Sequence, residues 1–308
     1  MTLQQMEYIV AVDKFRHFAL AAESCGITQP TLSTMIQKLE DELGTKIFSR
    51  SNKNVTPTTI GKKIIRQAQN VVNEANRVKE MVYDEMTAAR GTLNMGILPT
   101  VAPYIVPDFI YFFRKNYPEA DLFINEMKMS DMLNQIKWGD IDTGIGVGGA
   151  VEEDILEIPL FSENFVLYLS ENCSHKLTTF TPEMLGTNRM WILKEGHCIK
   201  DAAFSFCKSR SLGKQIYEAG SIDTLIKIVD KNEGYTIIPE LHKAFLTPQQ
   251  MTRLRDISDV APTRHTISMY VRSDYIRERM LNAISDTIRR IVPHEMIDPH
   301  LQKFGIRL

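Results

Sequence analysis

The residues best suited to chemistry in this sequence are two cysteines in one short segment, Cys198 and Cys207, within EGHCIKDAAFSFC at positions 195–207. A cysteine reacts with an oxidant as the thiolate, so a redox role requires a lowered pKa. Cys198 follows His197 and is flanked by Lys194 and Lys200, all candidate donors or positive charges. It also precedes a segment, 199–208, that suits a helix, whose N-terminal amides favour an anion. Cys207 lies beside Phe204 and Phe206, an aromatic and apolar setting. By residue type alone, two small buried side chains are the commoner case, and that reading stays open at this point. The other cysteines, Cys25 and Cys173, form no CxxC with them or with each other, and no histidine stands at zinc-ligand spacing. Neither a metal nor another cofactor is expected, and the absence of a GxGxxG after a strand argues against a dinucleotide enzyme.

A second chemistry is phosphate binding. From Leu43 through Asn73 there are six basic residues, Lys46, Arg50, Lys53, Lys62, Lys63 and Arg66, and no acid. The whole chain carries a formal charge of only -2, so this patch is a local feature that can bind a polyanion without the protein being basic. Just before it, the segment QPTLSTMIQKLEDELG (29–44) places Gln29, Pro30, Thr31, Ser33, Thr34, Gln37 and Lys38 away from the apolar stripe Leu32, Ile36, Leu39 and Leu43. Amide and hydroxyl side chains on one helix face are the groups that read base edges in a major groove. Lys46, Arg50 and Lys53 suit the DNA backbone or minor groove.

The elements that must hold these groups follow from periodicity. Leu3, Met6, Ile9, Val10 and Val12 mark a helix over 3–15, and 18–24 forms a second, short one. A turn at Gly26 leads to a third helix that Thr28 can cap, with Pro30 in its first turn and Gly44 at its end. Short helix, turn and polar-faced helix form a helix-turn-helix pattern. In KIFSRSNKNVTP (46–57), Ile47, Phe48 and Val55 predict two short strands around a polar tip, the wing. From Thr58 to Ala89 a long helix carries Ile64, Ala68, Val71, Ala75, Val78 and Val82 at 4-3-4-3-4 spacing, a seam suited to a second helix and hence to dimerisation. Packing on its own domain is the plainer alternative.

Beyond residue 90 the pattern alternates. Strands are predicted at 93–97, 122–124, 141–147, 165–169, 190–193, 235–238 and 267–271, with helices at 103–115, 129–138, 199–208, 221–231 and 275–291. Such alternation predicts an α/β region built on parallel sheet with helices on both faces, with ligands beyond the strand carboxyl ends, where Thr100 falls. The 308 residues, 44% hydrophobic, exceed one typical domain. No apolar run approaches the ~20 residues of a membrane span. The opening MTLQQMEYIV carries Glu7 and no basic stretch before an apolar run, so no secretory leader is expected and a cytoplasmic protein is.

The segment AAESCGITQPTLSTMIQKLEDELGTKIFSR (21–50) resembles the DNA-binding motif of the LysR-type transcription regulators almost throughout, and GYTIIP (234–239) resembles that family's effector domain. GILPTVAPY (96–104) and EGHCIKDAAFSFC are similar to peroxide-sensing members of the family. The resemblance implies a winged helix-turn-helix over 1–57, a linker helix over 58–90, and a regulatory region over 91–308. That region would form two Rossmann-like lobes, periplasmic-binding-protein-like, joined by crossing strands: lobe I over 91–161 and 268–308, lobe II over 162–267. It further implies a homotetramer built from dimers, double-stranded DNA and RNA polymerase as partners, and hydrogen peroxide as signal. In the peroxide sensors, the cysteine matching Cys198 is oxidised and the one matching Cys207 resolves it. Thr100, His197 and Arg264 match peroxide-pocket positions. A pocket threonine of that group falls at Met129 here, with Ser130 beside it. If helix spans the nine residues from Cys198 to Cys207, they stand roughly 13 Å apart on opposite faces. A disulfide needs Cα atoms within about 7 Å, so bonding would oblige the segment to re-route.

Two other classes compete. A regulator of the same family could respond to a small organic metabolite between the lobes, leaving the cysteines incidental. A thiol peroxidase would use the cysteines but leave the helix-turn-helix without a purpose.

Overall fold

The computed structural model describes residues 1–51, 54–85, 89–149, 153–176, 191–193, 218–219, 221–256, 264–303 and 305–307. The chain divides into two compact units, Met1–Met86 and Thr87–Leu308.

The first unit packs three helices, α1 (Leu3–Phe15), α2 (Phe18–Ser24) and α3 (Gln29–Leu43), against a two-stranded wing, β1 (Phe48–Ser51) and β2 (Asn54–Pro57), and the start of α4 (Thr59–Glu85). Thr2 and Gln5 form a reciprocal cap on α1. The Gln5 side chain also donates to the Met35 carbonyl on α3 at 3.3 Å. Tyr8, Ile9, Val12, Ala21, Leu32, Ile36, Leu39, Ile47 and Phe48 make the core. Two stripe residues depart from expectation: Leu3 and Leu43 are exposed. Both lie at helix ends, where the buried face has turned away from the core. Thr28 does occupy the N-cap of α3, but its hydroxyl caps no amide; it sits 2.9 Å from the Thr31 hydroxyl. Gly44 ends α3 in the left-handed conformation (φ 63°) that favours glycine. Gly61 brings α4 close to the wing: a Cβ there would meet the Ile47 carbonyl oxygen at 1.9 Å.

The second unit is α/β, but its sheet is mixed rather than parallel. β3 (Gly91–Ile97) pairs in parallel with β4 (Ala120–Glu126) and β5 (Thr143–Val147). The return strand Arg264–Arg272 lies antiparallel to β5 on one side and to β6 (Ile155–Leu169) on the other. β6 has fifteen residues, of which the apolar pattern revealed only 165–169. Its first part, through Asn164, pairs with the return strand; its last five residues pair antiparallel with Tyr235–Pro239. Leu254–Asp256 joins on the opposite edge of that last part. β6 therefore crosses between two sheets, and the return strand begins beside the crossing, with Arg264 paired to Asn164. The register slips by one residue between Ile267 and Ser268, so that Leu160 has no partner in the ladder. Pro159, which lacks an N–H, stands beside this bulge, and the Leu160 carbonyl accepts instead from Asp298 N at 2.9 Å.

Each part of β6 serves its own core. The first core gathers Leu93, Met95 and Ile97 with Phe109 and Phe113 of α5 (Ala102–Asn116), Met132 and Ile136 of α6 (Met129–Trp138), and Ile284 and Ile288 of the helix Glu278–Ile291. Phe109 and Phe113 stack at 5.2 Å; each fully buried ring contributes about 1.5–3 kcal/mol. The second core joins Phe165, Leu167 and Leu169 to Leu225 and Val229 of the helix Ile222–Lys231 and to Ile237. No helix among the described residues is long and apolar enough to cross a membrane.

Candidate nucleic-acid interface and regulatory site

α3 buries Leu32, Ile36, Leu39 and Glu40 and leaves Gln29, Pro30, Thr31, Thr34, Gln37 and Lys38 exposed, with Ser33 half-buried. The polar set is thus presented on one accessible face, as major-groove reading requires. Lys46 is exposed, yet its ammonium lies 2.9 Å from Glu40 Oε2, so part of its charge is already engaged. Arg50 falls on β1 with a side chain outside the described set, and Lys53 lies outside the described residues.

Glu40 was not foreseen. Its carboxylate accepts from Ile47 N (2.8 Å), Phe48 N (3.1 Å) and Lys46 Nζ (2.9 Å), tying the end of α3 to the root of the wing. Burial raises its pKa, but the Lys46 hydrogen bond and the two backbone amides outweigh that and hold it below the ordinary 4.5. The signal was available: Glu40 stands four residues after Ile36, on the helix's buried face.

On α4 the seam residues divide. Ala68 is buried with Ile65 in the core of the first unit, and Ile64 is half-buried against it. Val71 and Ala75 are half-buried, Val78 is 64% exposed, and the Val82 side chain is outside the described set. Roughly the first three turns therefore pack on their own domain, and the more exposed apolar residue Val78 lies further along.

In the second unit, Thr100 is buried in the turn between β3 and α5. Ser130, in the first turn of α6, is exposed, whereas Met129 is buried beneath Gly146. Arg264 opens the return strand with its side chain exposed, while the next residue, His265, is buried. Successive strand side chains point to opposite faces, so Arg264 and His265 cannot serve the same side. His197, Cys198 and Cys207 lie outside the described residues. Cys25 is half-buried and Cys173 buried, and neither is in a disulfide among the described residues. Among the described residues no cluster of His, Cys, Asp or Glu could hold a metal ion.

At the point where β6 leaves one sheet for the other, a buried polar cluster appears that sequence reasoning missed. Glu163 is 1% exposed. Its Oε1 accepts from the Tyr104 hydroxyl of α5 at 2.7 Å, and its Oε2 from Leu241 N at 3.1 Å. His265, its cross-strand partner in the register, places Nε2 3.3 Å from Oε1. The imidazole stacks on Phe165 at 4.1 Å and 12°, the diagonal contact that antiparallel pairing permits. Burial, reinforced by Glu163, pushes the Tyr104 phenol well above its usual 10. Beyond lies His242, fully buried, with Nε2 3.5 Å from Asp223 Oδ1. Burial pulls its pKa below 6.5 against the opposing pull of Asp223 and Glu163. In the sequence, Ser162-Glu163-Asn164 resembles a polar turn; the alternation Phe161, Glu163, Phe165 on one face was the available clue.

A winged helix-turn-helix with an exposed polar helix, followed by an α/β unit whose two sheets share one long strand, defines a DNA-binding regulator with an appended effector domain. The family comparisons place it further. Residues 3–62 match "Bacterial regulatory helix-turn-helix protein, lysR family" and residues 87–292 match "LysR substrate binding domain"; the chain belongs to the LysR family. It is 30% identical over 297 residues to the "Hydrogen peroxide-inducible genes activator" of Haemophilus influenzae, spanning 95% of this chain and 99% of that one. It is 33% identical over 243 residues to the "DNA-binding transcriptional dual regulator OxyR" of Escherichia coli, spanning 78% and 80%. A full-length OxyR from Pseudomonas aeruginosa, carrying a cysteine-to-aspartate substitution, superposes with a TM-score of 0.79 at 28% identity, covering 97% of this chain and 98% of that one.

Proposed function

We propose that this regulator responds to hydrogen peroxide through Cys198 and Cys207 and activates oxidative-stress genes. The observation that carries the reading is the end-to-end similarity to a peroxide-inducible activator, across both the DNA-binding and effector regions. The Cys198 thiolate attacks one peroxide oxygen, the O–O bond breaks, hydroxide leaves and takes up a proton, and the sulfur becomes a sulfenic acid. The Cys207 thiol then displaces water to give a disulfide, so that two thiols lose two electrons to one peroxide. Thr100, His197, Arg264 and Ser130 are the proposed pocket residues. Arg264, being exposed at its strand's start, meets a bound peroxide only if the segment bearing Cys198 lies against that face.

On DNA, α3 enters the major groove with Gln29, Thr31, Ser33, Thr34 and Gln37, and Lys46, Arg50 and Lys53 hold the backbone. Winged domain 1–57 is followed by linker 58–90, whose Val71, Ala75, Val78 and Val82 meet a second copy; two dimers make the tetramer, and RNA polymerase is the downstream partner. The test is thiol mapping by mass spectrometry on the full chain, before and after stoichiometric peroxide. A Cys198–Cys207 disulfide is expected, a sulfenic acid on Cys198 in Cys207→Ser, and neither product in Cys198→Ser. Untouched thiols would return the chain to the metabolite-responsive members of its family.

A further inference from the structure

We infer that Glu163 is a positioning residue for the peroxide reaction: its carboxylate sets the spacing between the Thr100 turn and the Arg264 strand, by holding Tyr104 on one side and His265 on the other. The inference rests on the proposed peroxide pocket and adds to it a group that does not touch peroxide.

The geometry is specific. Val101 N and Ala102 N both donate to the Leu98 carbonyl at 2.9 Å, which locks Thr100 into a tight turn at the root of α5. Tyr104 lies one helical turn further, so Thr100 and the Tyr104 backbone move as one piece. On the other side, His265 follows Arg264 directly, and its ring is fixed between Phe165 and Glu163. Thr266 adds a hydroxyl contact to Ser162 of β6 at 3.1 Å. Both candidate pocket residues are therefore attached, within one or a few residues, to a side chain in polar contact with the same buried carboxylate, Tyr104 by a hydrogen bond and His265 at 3.3 Å. A second hydrogen bond to the carboxylate, from Leu241 N, brings in the chain that follows Tyr235–Pro239 in the second sheet. Glu163 thus joins the Thr100 turn, the return strand and the second sheet at the place where β6 crosses. A structural requirement alone would be met by apolar packing here, as it is elsewhere along the face that carries Phe161 and Phe165; a buried carboxylate with three polar partners from three separate elements fixes distances and angles instead.

Reaction geometry is sensitive to displacements of about 1 Å, which can cost 100-fold in rate. Thiolate formation and exposure need no such alignment. The experiment therefore compares two reagents on the full-length protein by stopped flow: hydrogen peroxide, which requires the pocket, and iodoacetamide, which requires only an accessible thiolate. The variants are Glu163→Gln, Glu163→Asp and Tyr104→Phe; the last removes one hydroxyl and nothing else, and so keeps the test alive if Glu163→Gln does not fold. The peroxide rate at Cys198 is expected to fall about 10-fold or more in Glu163→Gln and by a smaller factor in Tyr104→Phe, with partial rescue in Glu163→Asp and alkylation unchanged throughout. Equal peroxide rates in wild type and variants overturn the inference while leaving the peroxide reading intact. Parallel losses with both reagents overturn it too, showing a general effect on the thiol. A wild-type Cys198 that ignores peroxide overturns the pocket itself and this inference with it.

Discussion

Glu40 and Glu163 are both buried carboxylates that accept three polar contacts, and they hold two different kinds of junction. The donors to Glu40 are Lys46, Ile47 and Phe48, all within eight residues. One of them is an exposed cation, so the charge is balanced at the protein surface. The partners of Glu163 are Tyr104, Leu241 and His265, which come from three elements far apart in the chain. None of these three is a fixed positive charge. The first arrangement makes a local, rigid corner that presents the wing and α3 as one surface for DNA. The second joins a helix, the return strand and the chain leaving the second sheet, where β6 passes from one sheet to the other. A carboxylate held by near neighbours builds a shape; one held by distant neighbours couples shapes.

The largest effect should come from removing the coupling carboxylate altogether. Glu163→Leu leaves the buried Tyr104 hydroxyl without an acceptor, at about 1–3 kcal/mol, and strips the partly buried Leu241 N of its partner as well. Both tryptophans of the chain, Trp138 and Trp191, lie in the second unit, so a urea titration followed by their fluorescence reads this unit. A midpoint unchanged from wild type would show that the cluster bears no load.

The local corner should be weaker but pH-dependent. The folded Glu40 pKa lies below its ordinary value, so its contribution is complete above about pH 4.5 and is lost as pH falls through the folded pKa. Glu40→Gln should cost about 2 kcal/mol near neutrality and should reduce the acid sensitivity of the first unit. Hydrogen exchange at the Ile47 and Phe48 amides measures both. Equal protection in wild type and variant across that range would show that the carboxylate does not hold the corner.

The smallest effect is expected at Arg264. Its exposed side chain should be worth within about 0.5 kcal/mol in stability, whereas His265→Ala, one residue on, should cost several times more by losing the Phe165 stack and the Glu163 contact. Comparable losses in the same urea titration would mean that the two faces of the return strand have been misassigned.

Much of this was legible from sequence because periodicity is a local signal. The helix-turn-helix showed in the polar face of 29–42 against Leu32, Ile36 and Leu39, and the helix Met129–Trp138 matched its prediction residue for residue. The mixed sheet was not legible: strand direction is set by which distant strands pair, and alternating strands and helices are equally compatible with an antiparallel return strand. The first ten residues of β6 were missed because Pro159 and Ser162-Glu163-Asn164 break the apolar pattern, and those polar residues are where the strand crosses between sheets. The same physics hid the Glu163 cluster. Its partners lie 59 and 78 residues away for the two hydrogen bonds, and no spacing rule brings them together.

For the proposed disulfide to act as a switch, oxidation at Cys198 has to alter how this regulator sits on DNA. Footprinting of the full-length protein on a promoter to which it binds specifically tests this directly, with reduced protein compared with protein treated with one equivalent of hydrogen peroxide, in wild type and Cys198→Ser. Peroxide is expected to change the extent or spacing of protection in wild type and to leave the Cys198→Ser footprint as it was. A Cys198→Ser protein whose footprint still shifts with peroxide would contradict it.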